Sequence, residues 1–142
     1  MITNERQYQI SKAQIAKFRT AIDAPDANTR ALHPRAQKAL REAVRSQLDD
    51  LLAEVADYEQ LRDGHLTSIT AESIADLAPA LIKARIMRKW TQKELADKLE
   101  VAEQQVQRYE ATQYKGVSVE RLQAVADALR LRVREVITFE LL

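Results

Sequence analysis

Residues 35–62 restrict the fold most strongly, because they contain neither glycine nor proline and repeat apolar side chains at helical spacing. The apolar positions, separated by alternating steps of four and three residues, are Val44, Leu48, Leu51, Val55 and Tyr58. This spacing predicts one amphipathic helix, about 40 Å long, with Pro34 as its first residue. Such a helix cannot bury its apolar stripe alone. The stripe must pack against another helix, a second copy of the chain or a different protein.

A shorter helix with a similar seam precedes the long one. Ile15, Phe18 and Ile22 lie at helical spacing, and Ser11 has the form of an N-terminal cap. We therefore predict a helix over residues 11–21 that forms an antiparallel hairpin with the long helix. The longer stripe is wider than this helix can cover, which favours a homodimer seam. Ordinary packing within one chain is the alternative.

The composition favours helix throughout the chain. The chain has only two glycines and three prolines, with 30% charged and 46% hydrophobic residues. Residues of high helix propensity dominate. We predict an all-α protein with an N-terminal helical hairpin or coiled-coil-like region over residues 1–63, used for dimerisation or partner binding. A linker over residues 64–70 would begin at Gly64, and a second helical domain would occupy residues 71–142.

Several classes of site are excluded by what the sequence lacks. Without cysteine there is no disulfide and no thiolate metal site. His33 and His65 lie in separate connectors, with no carboxylate constellation near either. We therefore predict no catalytic residue, no metal and no cofactor, and hence no enzyme. No apolar run is long enough for a membrane span, and the N-terminus lacks a signal peptide's apolar core.

Residues 91–110 have the pattern of two short helices joined by a tight turn. Thr91 with Glu94 forms a capping box for the first helix. Leu95 and Leu99 then supply an apolar stripe, and Val106 continues it in the second helix. The outward side of the second helix is polar and comprises Glu103, Gln104, Gln105, Gln107 and Arg108. Side chains of these types can hydrogen-bond base edges and phosphates.

This pattern resembles the helix-turn-helix of the phage-repressor (XRE) family. Gln92 stands near the start of the first helix, and the small residue Ala96 stands where the two helices cross. The chain departs from the family at Glu100, where glycine is usual in the turn, and at Ala102, where serine or threonine usually caps the second helix. The resemblance covers residues 77–137 and implies a five-helix DNA-binding domain.

The resemblance also assigns roles to individual residues. Arg85 matches a position that pairs with the glutamate closing the second helix, here Glu110. Thr91 and Gln92 begin the first helix of the motif, and Gln92 is expected to donate to a phosphate, aided by the positive end of that helix. The loop after the second helix follows the phosphate backbone in this family. Its candidate contacts are Gln113, Tyr114 and Lys115.

The second helix is then expected to enter the major groove of double-stranded DNA. Gln104 can pair with adenine and Arg108 with guanine, each contributing about 1–3 kcal/mol of discrimination. Glu103 can accept from a cytosine amino group. One such module forms a small interface, so useful specificity implies a homodimer on a pseudo-palindromic operator.

Net charge adds little attraction for DNA. The chain has 22 basic and 21 acidic residues, and the part from residue 70 onward has 12 and 11. Attraction to phosphates must then come from local clusters. The one obvious cluster precedes the motif and comprises Lys83, Arg85, Arg88 and Lys89. Each of these could equally be an ordinary solvated charge.

The C-terminal end is unusually apolar. Val133, Val136 and Ile137 suggest one more short helix. Exposed apolar side chains at the terminus favour a dimer contact. These are Phe139, Leu141 and Leu142.

The layout, a repressor-type domain joined to a helical segment, resembles HigA-like antitoxins of type II toxin–antitoxin modules. That resemblance implies a cytoplasmic repressor that regulates its own operon and neutralises a toxin protein. Two alternatives stay open. The protein could be a stand-alone regulator of the same family whose N-terminal helices only dimerise, or a helical adaptor without DNA binding.

Overall fold

The computed structural model describes residues 1–141. Every regular element in this part of the chain is helical, which confirms the all-α class. The chain forms two compact units, the first comprising Met1–Leu66 and the second beginning at Thr67. The predicted linker, residues 64–70, spans this division. None of the described helices is both long enough and apolar enough to cross a membrane.

Three helices build the first unit: α1 (Glu5–Asp23), α2 (Ala27–Arg30) and α3 (Pro34–Asp63). α3 confirms the predicted long helix and has Pro34 in its first turn. With 30 residues it is about 45 Å long. The short helix α2 lies in the connector between α1 and α3, where the sequence suggested no regular structure.

α1 begins earlier than expected, and the predicted start at Ser11 is wrong. The side chain of Asn4 caps the helix by accepting a hydrogen bond from the backbone N–H of Gln7 at 2.9 Å. Asparagine is as good a cap as serine, and Asn4 comes first in the chain, so the helix begins after Asn4. Ser11 consequently lies inside α1.

α1 runs antiparallel to α3, as predicted. Arg62, near the end of α3, lies 3.5 Å from the carboxylate of Glu5 at the start of α1. The rings of Tyr8 and Tyr58 lie 5.3 Å apart, and the Tyr8 hydroxyl donates to the carboxylate of Glu59. The two helices therefore share one apolar seam that is closed at this end by polar contacts.

The apolar stripe of α3 is largely covered by α1. Leu48, Val55 and Tyr58 are buried, while Val44 and Leu51 are half-buried. The covering helix has 19 residues, more than the sequence suggested, and so it reaches more of the stripe. Packing within one chain therefore accounts for the seam, and the homodimer that was expected here is not needed to bury it.

The second unit opens with a short 3-10 turn and continues with four α-helices. These elements are the 3-10 turn (Ile74–Asp76), α4 (Leu77–Met87), α5 (Gln92–Leu99), α6 (Glu103–Ala111) and α7 (Val119–Ala128). The largest fully buried side chains of this unit are Leu81, Ile82, Leu95, Val106, Val125 and Leu129. They form one core between α4, α5, α6 and α7.

No α-helix begins before Leu77 in this unit. Instead, the Ser73 hydroxyl accepts a hydrogen bond from the backbone N–H of Asp76 at 3.3 Å and caps the 3-10 turn. This turn leads directly into α4.

The predicted last helix is also wrong. Residues 131–141 have no regular secondary structure. Val133, Val136 and Ile137 are β-branched and lose side-chain freedom in a helix, so their spacing alone does not form one. Within the described residues the predicted five-helix domain thus contains four α-helices and the 3-10 turn. Leu142, part of the predicted terminal contact, lies outside the described residues.

Glycine is required at position 64, where α3 ends, for a steric reason. Its φ of −73° is open to any residue. A side chain at this position would collide with the backbone carbonyl oxygen of Gln60. That carbonyl accepts a hydrogen bond from the Gly64 N–H at 2.8 Å, so the chain passes too close for a Cβ atom.

Candidate nucleic-acid interface

The N-terminal end of α5 is closed by the predicted capping box. The Thr91 hydroxyl accepts from the Glu94 backbone N–H at 3.1 Å. In return, the Glu94 carboxylate accepts from the Thr91 backbone N–H at 2.7 Å. Hydrogen bonds from the Thr91 backbone and side chain lower the pKa of Glu94. This carboxylate is therefore a fixed part of the helix end.

The turn between α5 and α6 keeps a left-handed residue even though that residue is not glycine. Glu100 has φ 57° and ψ 40°. The next backbone N–H, that of Val101, donates to the carbonyl of Ala96 at 3.0 Å. α6 then begins after Ala102, which offers no side-chain hydrogen bond to the helix. Both departures from the family pattern leave the turn geometry in place, at a cost to local stability.

α6 is buried on one side and exposed on the other. Val106 is fully buried and Glu110 is 3% exposed, so both anchor the helix against α5, α4 and the core. The other side carries four exposed polar residues: Glu103, Gln104, Gln107 and Arg108. Gln105, at the edge of this surface, is half-buried.

A buried charged cluster joins α4, α5 and α6. Arg85 and Glu110 form the predicted ion pair in a two-bond geometry, with nitrogen–oxygen distances of 2.6 and 2.8 Å. Arg85 also donates to the backbone carbonyl of Trp90 at 2.6 Å. Gln92 donates its side-chain N–H to the Glu110 carboxylate at 2.8 Å. Paired charges of this kind are tolerated in a core, and they hold α6 at one orientation to α4 and α5.

The comparison with known families agrees with this geometry. Residues 81–136 match the family model described as helix-turn-helix. This segment is therefore similar to helix-turn-helix domains, and the match supports a DNA-binding regulatory domain in this part of the chain. We call α6, the second helix of the motif, the recognition helix. No curated protein and no solved structure matches the chain.

Of the residues predicted to contact DNA, the structure exposes seven, which lie at the start of α5, on the recognition helix and in the loop after it. They are Thr91, Glu103, Gln104, Gln107, Arg108, Gln113 and Lys115. Gln107 lies 3.3 Å from the carboxylate of Glu103, so these two side chains restrain each other. Among the described residues, the side chains of Gln104 and Arg108 make no hydrogen bond within the chain. Both are available to a ligand.

The prediction for the Gln92 side chain requires correction. Gln92 is only 7% exposed, and its side-chain N–H points to Glu110. Its amide is therefore used inside the recognition domain rather than presented to a phosphate. The sequence could not show this, because the acceptor lies 18 residues further along the chain. The backbone N–H groups at the start of α5 remain as candidate phosphate donors.

The buried side chain of Tyr114 does not fit the prediction that it contacts a phosphate. Tyr114 is 4% exposed and stacks on Tyr109, with ring centroids 5.6 Å apart. Its buried hydroxyl has no hydrogen-bond partner within the described residues, and burial raises the pKa of that hydroxyl. Gln113 and Tyr114 both have positive φ, 50° and 57°. This sharp loop turns the Tyr114 ring inward and leaves Gln113 and Lys115 outside.

The basic cluster before the motif is partly used inside the domain. Arg85 is buried in the ion pair, and Arg88 donates to the backbone carbonyl of Arg130 at 3.1 Å, near the end of α7. Lys89 stays exposed. Lys93, which the sequence did not single out, lies in the first turn of α5, 3.0 Å from Asp97. The hydrogen bond with Asp97 raises the pKa of Lys93, so Lys93 stays protonated and forms an ion pair with Asp97.

Proposed function

We propose that this protein is a sequence-specific transcriptional repressor whose recognition helix reads base edges in the major groove. One observation carries the proposal. The recognition helix exposes a polar row while its opposite side is held by Val106 and the buried Arg85–Glu110 pair. Any surface helix is polar on its outer side, but this row lies on the second helix of a segment that matches the helix-turn-helix model. Its side chains are types that can hydrogen-bond base edges: Glu103, Gln104, Gln107 and Arg108.

The chemistry of the row suggests which bases it reads. A glutamine amide matches the donor and acceptor of adenine, and an arginine matches the two acceptors of guanine. We assign these roles to Gln104 and Arg108, whose side chains make no hydrogen bond within the described residues. Glu103, restrained by Gln107, is placed to accept from cytosine and to repel a misplaced phosphate.

A binding experiment tests this assignment. A labelled duplex from upstream of the protein's own gene, with a scrambled duplex of equal length, is titrated with the wild-type chain and with Arg108→Ala. We expect the variant to lose about 10- to 100-fold in affinity for the specific duplex only. Arg41→Ala removes the same charge from an exposed position of α3 and should leave affinity unchanged. Equal binding of both duplexes by the wild-type protein would contradict the proposal.

Two copies are needed for useful specificity. A single recognition helix contacts few base pairs, so we propose a homodimer on a pseudo-palindromic operator with half-sites about one helical turn apart. A footprint on the upstream duplex should show two protected half-sites related by a two-fold axis. Protection of one half-site at saturation would contradict the dimer.

We further propose that the protein is the antitoxin of a type II toxin–antitoxin module and represses its own operon. The support is the two-unit layout, a recognition domain joined to a separately packed helical hairpin. Because α1 covers most of the apolar stripe of α3, the hairpin is less well explained as a dimer seam alone. We assign the exposed surface of the hairpin to the toxin.

Expression of the neighbouring gene tests this second part. We expect its product to arrest growth alone, to be neutralised on co-expression and to co-purify with the full chain. A harmless neighbour that does not co-purify, together with specific operator binding, would support a stand-alone regulator. Co-purification without any specific DNA binding would support a helical adaptor.

A further inference from the structure

The segment after α7 is apolar and exposed. Val136 and Ile137 are 86% and 85% exposed, and Phe139 and Leu141 are almost completely so. Within the described residues, no backbone hydrogen bond involves residues 132–141. A row of unpaired backbone groups beside exposed apolar side chains is the arrangement of an unpartnered strand.

The sequence of this segment favours a strand with one mainly apolar face. Val136, Ile137, Thr138 and Phe139 all belong to the residue types with the highest strand propensity. In an extended chain, alternate side chains point to opposite sides. One side would then carry Val133, Glu135, Ile137, Phe139 and Leu141. The other would carry Arg134, Val136, Thr138 and Glu140.

The segment is complementary to itself in the antiparallel direction. When Ile137 of one copy stands opposite Ile137 of another, Val133 stands opposite Leu141 and Val136 opposite Thr138, and only Glu135 opposite Phe139 is a mixed pair. Arg134 of each copy then stands opposite Glu140 of the other. Neither charge has an ion-pair partner within the described part of its own chain. Opposite charges placed across a strand pair stabilise it, and like charges destabilise it.

We infer that residues 133–141 pair as an antiparallel strand with the same residues of a second copy of this chain, with Ile137 on the two-fold axis. This inference deepens the proposed function by naming the surface through which the two repressor copies associate. An isolated two-stranded ribbon is only marginally stable, so we expect a dissociation constant on the order of 1–100 µM without DNA.

The position of Leu131 favours this register. Leu131 is half-buried, and its backbone N–H donates to the carbonyl of Ala126 at 2.9 Å. A register centred on Val136 would place the partner's Leu141 opposite Leu131, where the backbone is already engaged. The register centred on Ile137 begins at Val133, beyond the residues that are packed against α7.

Disulfide trapping tests the pairing cleanly, because the chain has no native cysteine. Directly opposite residues of an antiparallel pair lie within the Cα–Cα range of a disulfide. We expect Ile137→Cys to form covalent dimers under mild oxidation at 50 µM protein at least tenfold faster than Ile74→Cys. Ile74 is the matched control, since it is 91% exposed in the same unit but outside the segment. Equal rates would overturn the inference, and faster trapping of Val136→Cys would overturn the register.

Exchange of the two charged residues provides an independent test of the strand pairing. Arg134→Glu and Glu140→Arg each place like charges opposite each other twice in the dimer, and each should weaken association about tenfold in sedimentation equilibrium. The double exchange should restore it. A double variant no better than the single ones, or a wild-type chain that stays monomeric at 100 µM, would overturn the inference. These measurements contain no DNA. A monomer that still binds a half-site would therefore refute the strand pairing and leave DNA recognition intact.

Discussion

Glu100 holds the turn of the helix-turn-helix in a conformation that costs a side-chain-bearing residue free energy. Its φ of 57° lies in the left-handed region. We expect Glu100→Gly to raise the free energy of unfolding by about 1 kcal/mol, because glycine adopts this conformation without steric cost. Urea denaturation followed by circular dichroism measures the change.

Lys98→Gly is the matched control for that prediction. Lys98 lies in the last turn of α5 with ordinary helical geometry, so glycine there should lower stability by about 1 kcal/mol. A loss of stability in both variants would show that the turn at Glu100 carries no strain.

The Arg85–Glu110 pair should behave as one unit. Arg85→Met or Glu110→Leu alone leaves an uncompensated buried charge, and each should cost about 3–5 kcal/mol. The double variant removes both charges, so its loss should be much smaller than the sum of the two. A double-mutant cycle by denaturation of the full chain measures the coupling. Additive losses would contradict the pair.

Residues whose partners lie close in the chain were the ones that the sequence predicted best. The Thr91–Glu94 capping box depends on a spacing of three residues, and it is present. The burial of Gln92 and Tyr114 depends on partners in other elements, and local sequence does not contain that information. The ion pair of Arg85 was predictable only from resemblance to the repressor family.

At the scale of the elements, the hairpin illustrates how a competing cap changes the result. Apolar spacing correctly predicted α3 and its antiparallel partner. It did not decide whether Asn4 or Ser11 begins α1, because both can cap a helix. The earlier cap gives a longer α1, and the longer helix covers the stripe that otherwise implied a dimer. The predicted final helix is absent for a related reason. Its β-branched residues lie at helical spacing, but they have low helix propensity.

Leu48 should therefore stabilise the α1–α3 hairpin of one chain rather than a contact between two copies of the chain. Leu48 is 9% exposed beneath α1. We expect Leu48→Ala to lower the stability of the first unit by about 2–3 kcal/mol, as in other cores. Leu40→Ala, at a 41% exposed position of the same helix, should cost less than about 0.5 kcal/mol. Thermal unfolding at two protein concentrations measures both. A midpoint for Leu48→Ala that depends more on concentration than the wild type would contradict this reading.

At the scale of the whole molecule, the balanced charge makes DNA binding depend on a few cations. Lys115 is exposed in the loop beside the recognition helix. If it contacts one phosphate, Lys115→Ala should reduce the slope of log affinity against log salt by about 0.9 per domain, without changing base preference. Lys38→Ala, exposed in α3, should leave the slope unchanged. Fluorescence anisotropy between 50 and 200 mM salt makes the comparison.

The buried cluster of Arg85, Gln92 and Glu110 has a consequence for how such a protein diversifies. It fixes the orientation of the recognition helix from the buried side of that helix, and it uses none of the side chains on the outer row. Substitutions in that row can therefore exchange one operator preference for another while the scaffold stays intact. A lineage of these regulators could acquire new target genes by surface changes alone, with no compensating rearrangement beneath them.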